Sequence, residues 1–138
     1  MEFDNLKKDI FDEIADEIDS ALKDLRGLSF HQKRLAFCLS DGTCLLLENY
    51  LKKNGALKPG FKISHQLLKK KKENVLEILS DLLTVSFQKL DKLNIILDVA
   101  FRVENKRNEL IYGSKVDDKI LQNLIDDYLT IKKEIEND

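Results

Sequence analysis

Three polar residues, Glu104, Arg107 and Asn108, are the side chains of this sequence best suited to binding or catalysis. At 100° per residue, all three fall in the apolar sector of the helix predicted around them. Their spacings of three and four residues allow them to touch on one helix face. Because a buried charge is costly unless it is paired, the pattern predicts either an internal hydrogen-bonded staple between helices or the floor of a binding site.

A basic segment is the second candidate for binding. From Lys33 to Lys72 the sequence has ten lysines and arginines against two acidic residues, although the net charge of the whole chain is only −2. Such a segment can bind RNA, DNA or an acidic partner. The alternative is that the lysines only keep a helical surface solvated. The segment ends in an uninterrupted run that we take as a basic patch: Lys69, Lys70, Lys71 and Lys72.

The cysteines and histidines predict neither a disulfide nor a metal site. Cys38 and Cys44 lie six residues apart on one predicted helix, so they point in different directions and cannot pair with each other. As buried thiols they are typical of a reducing cytoplasm. His31 and His65 form no cluster, and we interpret both as ordinary surface or cap residues. We therefore expect a cytoplasmic protein without a metal or a cofactor.

Composition and periodicity predict one all-α domain over residues 1–138. Apolar residues recur every three or four positions, only one proline interrupts the chain, and no alternating run predicts a strand. No apolar run approaches the roughly 20 residues of a membrane span, and the acidic N-terminus is not typical of a signal peptide. We expect an antiparallel four-helix bundle, with a short fifth helix as an option. A capping box at Ser29 and Gln32, a helix break at 69–73 and a helix from Ser86 to Gly113 are further expectations.

The segment of residues 34–53 is predicted to be the central helix of this bundle. It is apolar on nearly all sides, so neighbouring helices must cover most of its surface. Gly42 would allow one of them to approach closely. Because four helices have difficulty covering both sides of one member, a homodimer interface on this helix is an option. Its solvent-exposed stripe is predicted to consist of Arg34, Asp41, Glu48 and Lys52.

The eight residues from Arg107 to Ser114, RNELIYGS, resemble the signature of HEPN-domain proteins, especially the HepT-like toxins. That signature has an Arg, usually followed by Asn, and a His five positions after the Arg. The order and lengths of the predicted helices also resemble the all-α bundle of the family. The resemblance implies a homodimer whose paired helices line a cleft, a nucleotidyltransferase partner in a toxin–antitoxin module, and metal-independent RNA cleavage in which Arg107 holds phosphate.

The sequence departs from the signature at the position of the His, which is Tyr112, and at a following Tyr position, which is Ser114. A phenol is a poor proton shuttle at neutral pH. We therefore expect a catalytically degenerate binding protein for RNA, another phosphate-bearing ligand or a nucleotidyltransferase. The alternatives are an active ribonuclease that uses Arg107 with Tyr112 or Ser114, and a purely structural interaction module. The expected ligand contacts are Glu104, Arg107, Asn108, Tyr112 and Ser114.

Overall fold

The computed structural model describes the backbone of residues 2–136 and the side chains of residues 8–136. Within these residues the chain is all-helical, as predicted, and it contains no strand beyond an isolated bridge between Leu57 and Leu83. None of the described helices combines the length and the apolar content needed to cross a membrane. The α-helices are α1 (Glu2–Lys23), α2 (Gln32–Lys53), α3 (His65–Leu68), α4 (Lys72–Leu82), α5 (Leu93–Tyr112) and α6 (Asp118–Glu136), with 3₁₀ turns at Leu28–His31 and Phe87–Lys89.

Local sequence signals mark the end of α2, the start of α6 and the break between α3 and α4. Gly55 follows α2 with a φ of +62°, a conformation that glycine adopts without steric cost. The Asp117 carboxylate accepts a hydrogen bond from the backbone N–H of Lys119 at 3.0 Å and so caps α6. The predicted break at 69–73 is confirmed, because α3 ends at Leu68 and α4 begins at Lys72.

Two predicted helix starts are wrong because tertiary contacts compete with the local signals. No side-chain cap hydrogen bond is found at the start of α2, and the Gln32 amide is buried and donates to the Leu110 carbonyl at 3.0 Å instead. The helix predicted from Ser86 begins at Leu93. The preceding N–H, that of Lys92, donates to the Tyr50 hydroxyl of α2 at 3.0 Å, so a contact from another helix satisfies a donor at this end.

Helix α2 is the central helix, as predicted. It packs against α1, α3, α5 and α6, and the buried aliphatic side chains of the described residues form one continuous core around it. The pair α2 and α5 runs antiparallel, since Gln32 at the start of α2 contacts Leu110 near the end of α5 while Tyr50 near the end of α2 contacts Lys92 just before α5. This pairing brings the middle of α2 beside the polar residues of α5.

The solvent-exposed stripe predicted on α2 is wrong at Glu48, which is buried. Its carboxylate accepts a hydrogen bond from the backbone N–H of Ile63 at 3.0 Å and lies 3.6 Å from the Lys52 ammonium. The connection between α2 and α3 supplies this partner by folding back along α2. Helical periodicity carries no information about the path of such a loop.

Gly42 allows α6 to approach α2 closely, in agreement with its predicted role. A Cβ atom at this position would lie 2.5 Å from Cε1 of Tyr128, whose ring is buried on α6. That distance is far shorter than a van der Waals contact. The absence of a side chain at Gly42 is therefore a condition for packing the Tyr128 ring.

We expect Gly42→Ala to lower the free energy of unfolding by about 1–3 kcal/mol, because the added methyl group would displace the Tyr128 ring. Replacing glycine by alanine in a helix without such a contact stabilises by up to about 1 kcal/mol. The sign of the change, measured by urea unfolding and circular dichroism, therefore reports the contact. Ser80→Ala on the exposed face of α4 is the control, and a Gly42→Ala protein more stable than the parent would contradict the packing.

Candidate functional site

A buried polar cluster lies where α2, α3 and α5 meet, and Glu104 of α5 is its centre. The Glu104 side chain is only 2% exposed. Its Oε2 accepts a hydrogen bond from the Ser40 hydroxyl of α2 at 3.0 Å, and its Oε1 lies 3.5 Å from Nδ1 of His65 at the start of α3. Three helices thus converge on one carboxylate. We call Ser40, His65, Glu104 and Arg107 the Glu104 cluster.

Buried polar atoms without a hydrogen-bond partner concentrate in this cluster. Among the described residues they are Nδ1 of His65, Oε1 of Glu104, Nε of Arg107 and the hydroxyl of Tyr128. Three of these four atoms belong to the Glu104 cluster, and two of them, Nδ1 of His65 and Oε1 of Glu104, face each other at 3.5 Å, which is within ion-pair distance. Because buried polar groups in folded proteins are nearly always hydrogen-bonded, this concentration distinguishes the cluster from the rest of the described core.

Arg107 follows Glu104 by about one helical turn and is partly buried. Its guanidinium carbon lies 5.2 Å from the centroid of the Phe37 ring on α2, which is a cation–π contact. Phe37 itself is 46% exposed. No carboxylate of the described residues forms an ion pair with Arg107. The guanidinium is therefore positioned by an aromatic ring rather than by an acidic partner.

The cluster combines a hydrogen-bond acceptor, an imidazole and a guanidinium within one region of the molecule. Carboxylate and imidazole together can move a proton near neutral pH, and a guanidinium matches the oxygens of phosphate in a bidentate geometry. No group of three or more His, Cys, Asp or Glu side chains within residues 8–136 is arranged to hold a metal ion. The chemistry that the arrangement favours is anion binding, with a proton-transferring pair beside it.

Cys44 adjoins this cluster and is not activated. Burial, followed by the negative charge of Glu104, raises the pKa of the Cys44 thiol to about 12, while Arg107 acts weakly in the opposite direction. Burial also raises the pKa of Cys38, which is only partly covered. Since the thiolate is the nucleophile, both cysteines behave as small apolar side chains, in line with their sequence interpretation.

The structure brings only Glu104 and Arg107 of the five predicted ligand contacts into the cluster. The prediction that Asn108 faces inward is wrong. Asn108 lies about 100° around α5 from Arg107, which places it on the exposed side of the helix. Tyr112, the last residue of α5, is 82% exposed and does not close the bundle. Ser114 is exposed beyond it, and only its carbonyl is engaged, by the Gln32 amide at 3.1 Å.

Sequence reasoning missed two members of the cluster, Ser40 and His65. The structure places the His65 side chain, 29% exposed, against the buried carboxylate of Glu104. Helix α3 is a single turn, too short for apolar periodicity to indicate which side it buries. The one available signal was the inward-facing Glu104, which requires a partner from another helix, and the sequence has only two histidines to offer.

His31, the other histidine, occupies the N-cap position of α2 but is buried in a separate network, so its interpretation as a surface residue is wrong. Its Nδ1 lies 3.0 Å from Glu17 and its Nε2 lies 2.8 Å from Asp24. Hydrogen bonds from Arg26 and from His31 hold the pKa of Asp24 well below its usual range. This network joins the end of α1 to the start of α2 and is structural.

The basic patch of residues 69–72 lies outside the Glu104 cluster. All four lysines are exposed, three on the turn between α3 and α4 and Lys72 at the first residue of α4. They face the outer side of α5 across an open groove of about 480 Å³, which Phe101, Arg102 and Asn105 also line. The predicted exposed position of these lysines is confirmed.

We expect iodoacetamide to alkylate Cys38 of the native protein much faster than Cys44, because Cys44 is buried and has the strongly raised pKa. Peptide mass spectrometry after timed quenching at mildly alkaline pH measures the two rates. The urea-unfolded chain is the control, and there the two rates should become similar. Equal rates in the native protein would show that Cys44 is more accessible than the structure indicates.

No protein-family model, no curated protein and no solved structure matches this chain. The resemblance to HEPN-domain proteins therefore rests on residues 107–114 and on the order of the helices. The function has to be argued from the residues and their geometry.

Proposed function

We propose that this chain is a HEPN-like, catalytically degenerate binding protein that holds a phosphate-bearing ligand such as RNA at Arg107. One observation carries the proposal: a partly buried guanidinium lies over the Phe37 ring and has no ion-pair partner among the described carboxylates. Burial without a counterion is unfavourable for a charge. A phosphate group would supply both the counterion and the hydrogen-bond acceptors, and the planar guanidinium fork is suited to it.

The rest of the proposal concerns assembly. In this proposal the long helices α1, α2, α5 and α6 form an antiparallel four-helix bundle of the HEPN type. Phe37 on α2 is large, exposed and next to Arg107, which supports a homodimer whose second copy covers this side of the molecule. A nucleotidyltransferase, as in toxin–antitoxin modules, is the proposed protein partner, and the cytoplasm is the proposed location.

Arg107→Ala should weaken the binding of a short single-stranded RNA by about 10- to 100-fold, because a charge-assisted hydrogen bond contributes about 1.5–3 kcal/mol. Arg107→Lys should bind with intermediate affinity, since the charge remains but the fork is lost. Fluorescence anisotropy with a labelled RNA measures both. Lys119→Ala is the control, because it removes one positive charge from an exposed position on α6.

The same variants test the purely structural alternative. If Glu104 and Arg107 only staple helices together, Arg107→Ala will lower the melting temperature and leave RNA binding unchanged. That result would overturn the proposed function. A loss of RNA binding with the melting temperature retained would support it.

A metal-independent ribonuclease is the second candidate function, and one observation favours it. His65 lies 3.5 Å from Glu104, so the fold places an imidazole beside a carboxylate that precedes Arg107 by three residues. An imidazole oriented by a carboxylate is a suitable general base or acid. His65 would then act in place of the signature His that Tyr112 replaces.

We expect RNA incubated with the protein in EDTA to remain intact, and to remain equally intact with the Arg107→Ala and His65→Gln variants. Denaturing gel electrophoresis of labelled RNA measures the cleavage. Cleavage by the parent protein that both variants abolish would show an active ribonuclease and contradict catalytic degeneracy. A weak background equal in all three preparations would indicate a contaminating nuclease.

A further inference from the structure

The turn between α3 and α4 concentrates positive charge on one side of the molecule. Lys69 follows the single turn of α3, and Lys71 has an extended backbone, with φ −60° and ψ 146°, immediately before α4. The break leaves all four lysines of residues 69–72 exposed. Together with Phe101, Arg102 and Asn105 of α5 they line the groove of about 480 Å³, which we call the lysine groove.

The carboxylates near the lysine groove neutralise only part of its charge. Asp98, the one acidic residue in the lining, lies 3.8 Å from the Lys72 ammonium. Arg102 donates to Asp127 at 3.1 Å. The remaining lysines, 69–71, form no ion pair with any described carboxylate. Like charges on neighbouring residues repel each other, and a row of anionic groups bound along the groove would relieve that repulsion.

We propose that the lysine groove binds the phosphate backbone of a single-stranded nucleic acid. Lysine ammonium groups on flexible stems can follow a chain of phosphates without a fixed geometry. The floor of the groove adds the partly exposed ring of Phe101 and the exposed amide of Asn105. An aromatic face and an amide are the groups that stack on and hydrogen-bond to unpaired bases, whereas an acidic peptide would need neither.

The lysine groove is a different site from Arg107. Phe101 and Asn105 lie about 120° and 160° around α5 from Arg107, so they face another side of the helix. Helix α3 lies between the two sites, with His65 at its start against Glu104 and Lys69 just after its end. This inference therefore goes beyond the proposed function and can hold or fail independently of it.

The experiment measures the affinity for a labelled single-stranded RNA of mixed sequence as a function of salt. For Lys70→Gln/Lys71→Gln, we expect the slope of log K against log[salt] to become shallower by roughly 1.4, because each single-strand phosphate contact contributes about 0.7. At about 100 mM salt the affinity should fall roughly 25-fold. Asn105→Lys adds a cation to the floor, so it should steepen the slope by about 0.7.

The matched control is Lys119→Gln/Lys133→Gln, which removes the same charge from exposed positions on α6 and should leave the slope unchanged. Circular dichroism melting confirms that each variant is folded. An unchanged slope for Lys70→Gln/Lys71→Gln, or equal changes in both double variants, would overturn the inference. The inference would also be overturned if poly-glutamate competed for binding as well as an RNA of the same charge. Arg107→Ala is measured in parallel, so that a failure of the proposed Arg107 site can be distinguished from a failure of the lysine groove.

Discussion

The buried carboxylate of Glu104 is the constraint on which the arrangement of α2, α3 and α5 depends. A carboxylate at 2% exposure destabilises the fold by several kcal/mol unless other groups compensate it. Compensation comes from the Ser40 hydroxyl and from the His65 ring, and each belongs to a different helix. Any arrangement of the three helices that moved Ser40 or His65 away from Glu104 would therefore be less stable. Glu104 faces Ser40 and His65, and Arg107 lies over the Phe37 ring.

The free-energy cost of burying an unpaired charge also explains the lysine groove. A continuous helix through residues 69–73 would turn Lys71 and Lys72 toward the core. Burying an ammonium group without a partner costs several kcal/mol, whereas each backbone hydrogen bond lost at a helix break costs about 1 kcal/mol. The chain breaks the helix, and the break produces both the short α3, which carries His65 to Glu104, and the exposed lysines that face α5. The break between α3 and α4 thus determines both the position of His65 and the exposure of the lysines.

Much of the fold was predictable, because it follows from spacing within one segment. Helical periodicity predicted the central position of α2, the break after Leu68 and the all-α class, and Gly42 predicted a close approach that Tyr128 makes. The predictions failed where a group that is distant along the chain makes a contact. The start of α5 moved to Leu93, where the Tyr50 hydroxyl from α2 meets the Lys92 N–H. Glu48 is buried because a loop folds back to it.

The candidate site also combines features that the sequence predicted with features that depend on the tertiary structure. The sequence by itself predicted, from angular positions on α5, that Glu104, Arg107 and Asn108 face inward. The structure exposes Asn108, whereas it buries Glu104 and partly buries Arg107. Only the tertiary structure decided what Glu104 meets, because Ser40 is 64 positions away along the chain and His65 belongs to a turn with no periodicity to read. Tertiary packing also left Asn108 and Tyr112 in solvent, since both lie on a side of α5 that the other described helices do not cover. Local spacing sets which way a charge points, and the fold of distant segments sets whether it finds a partner.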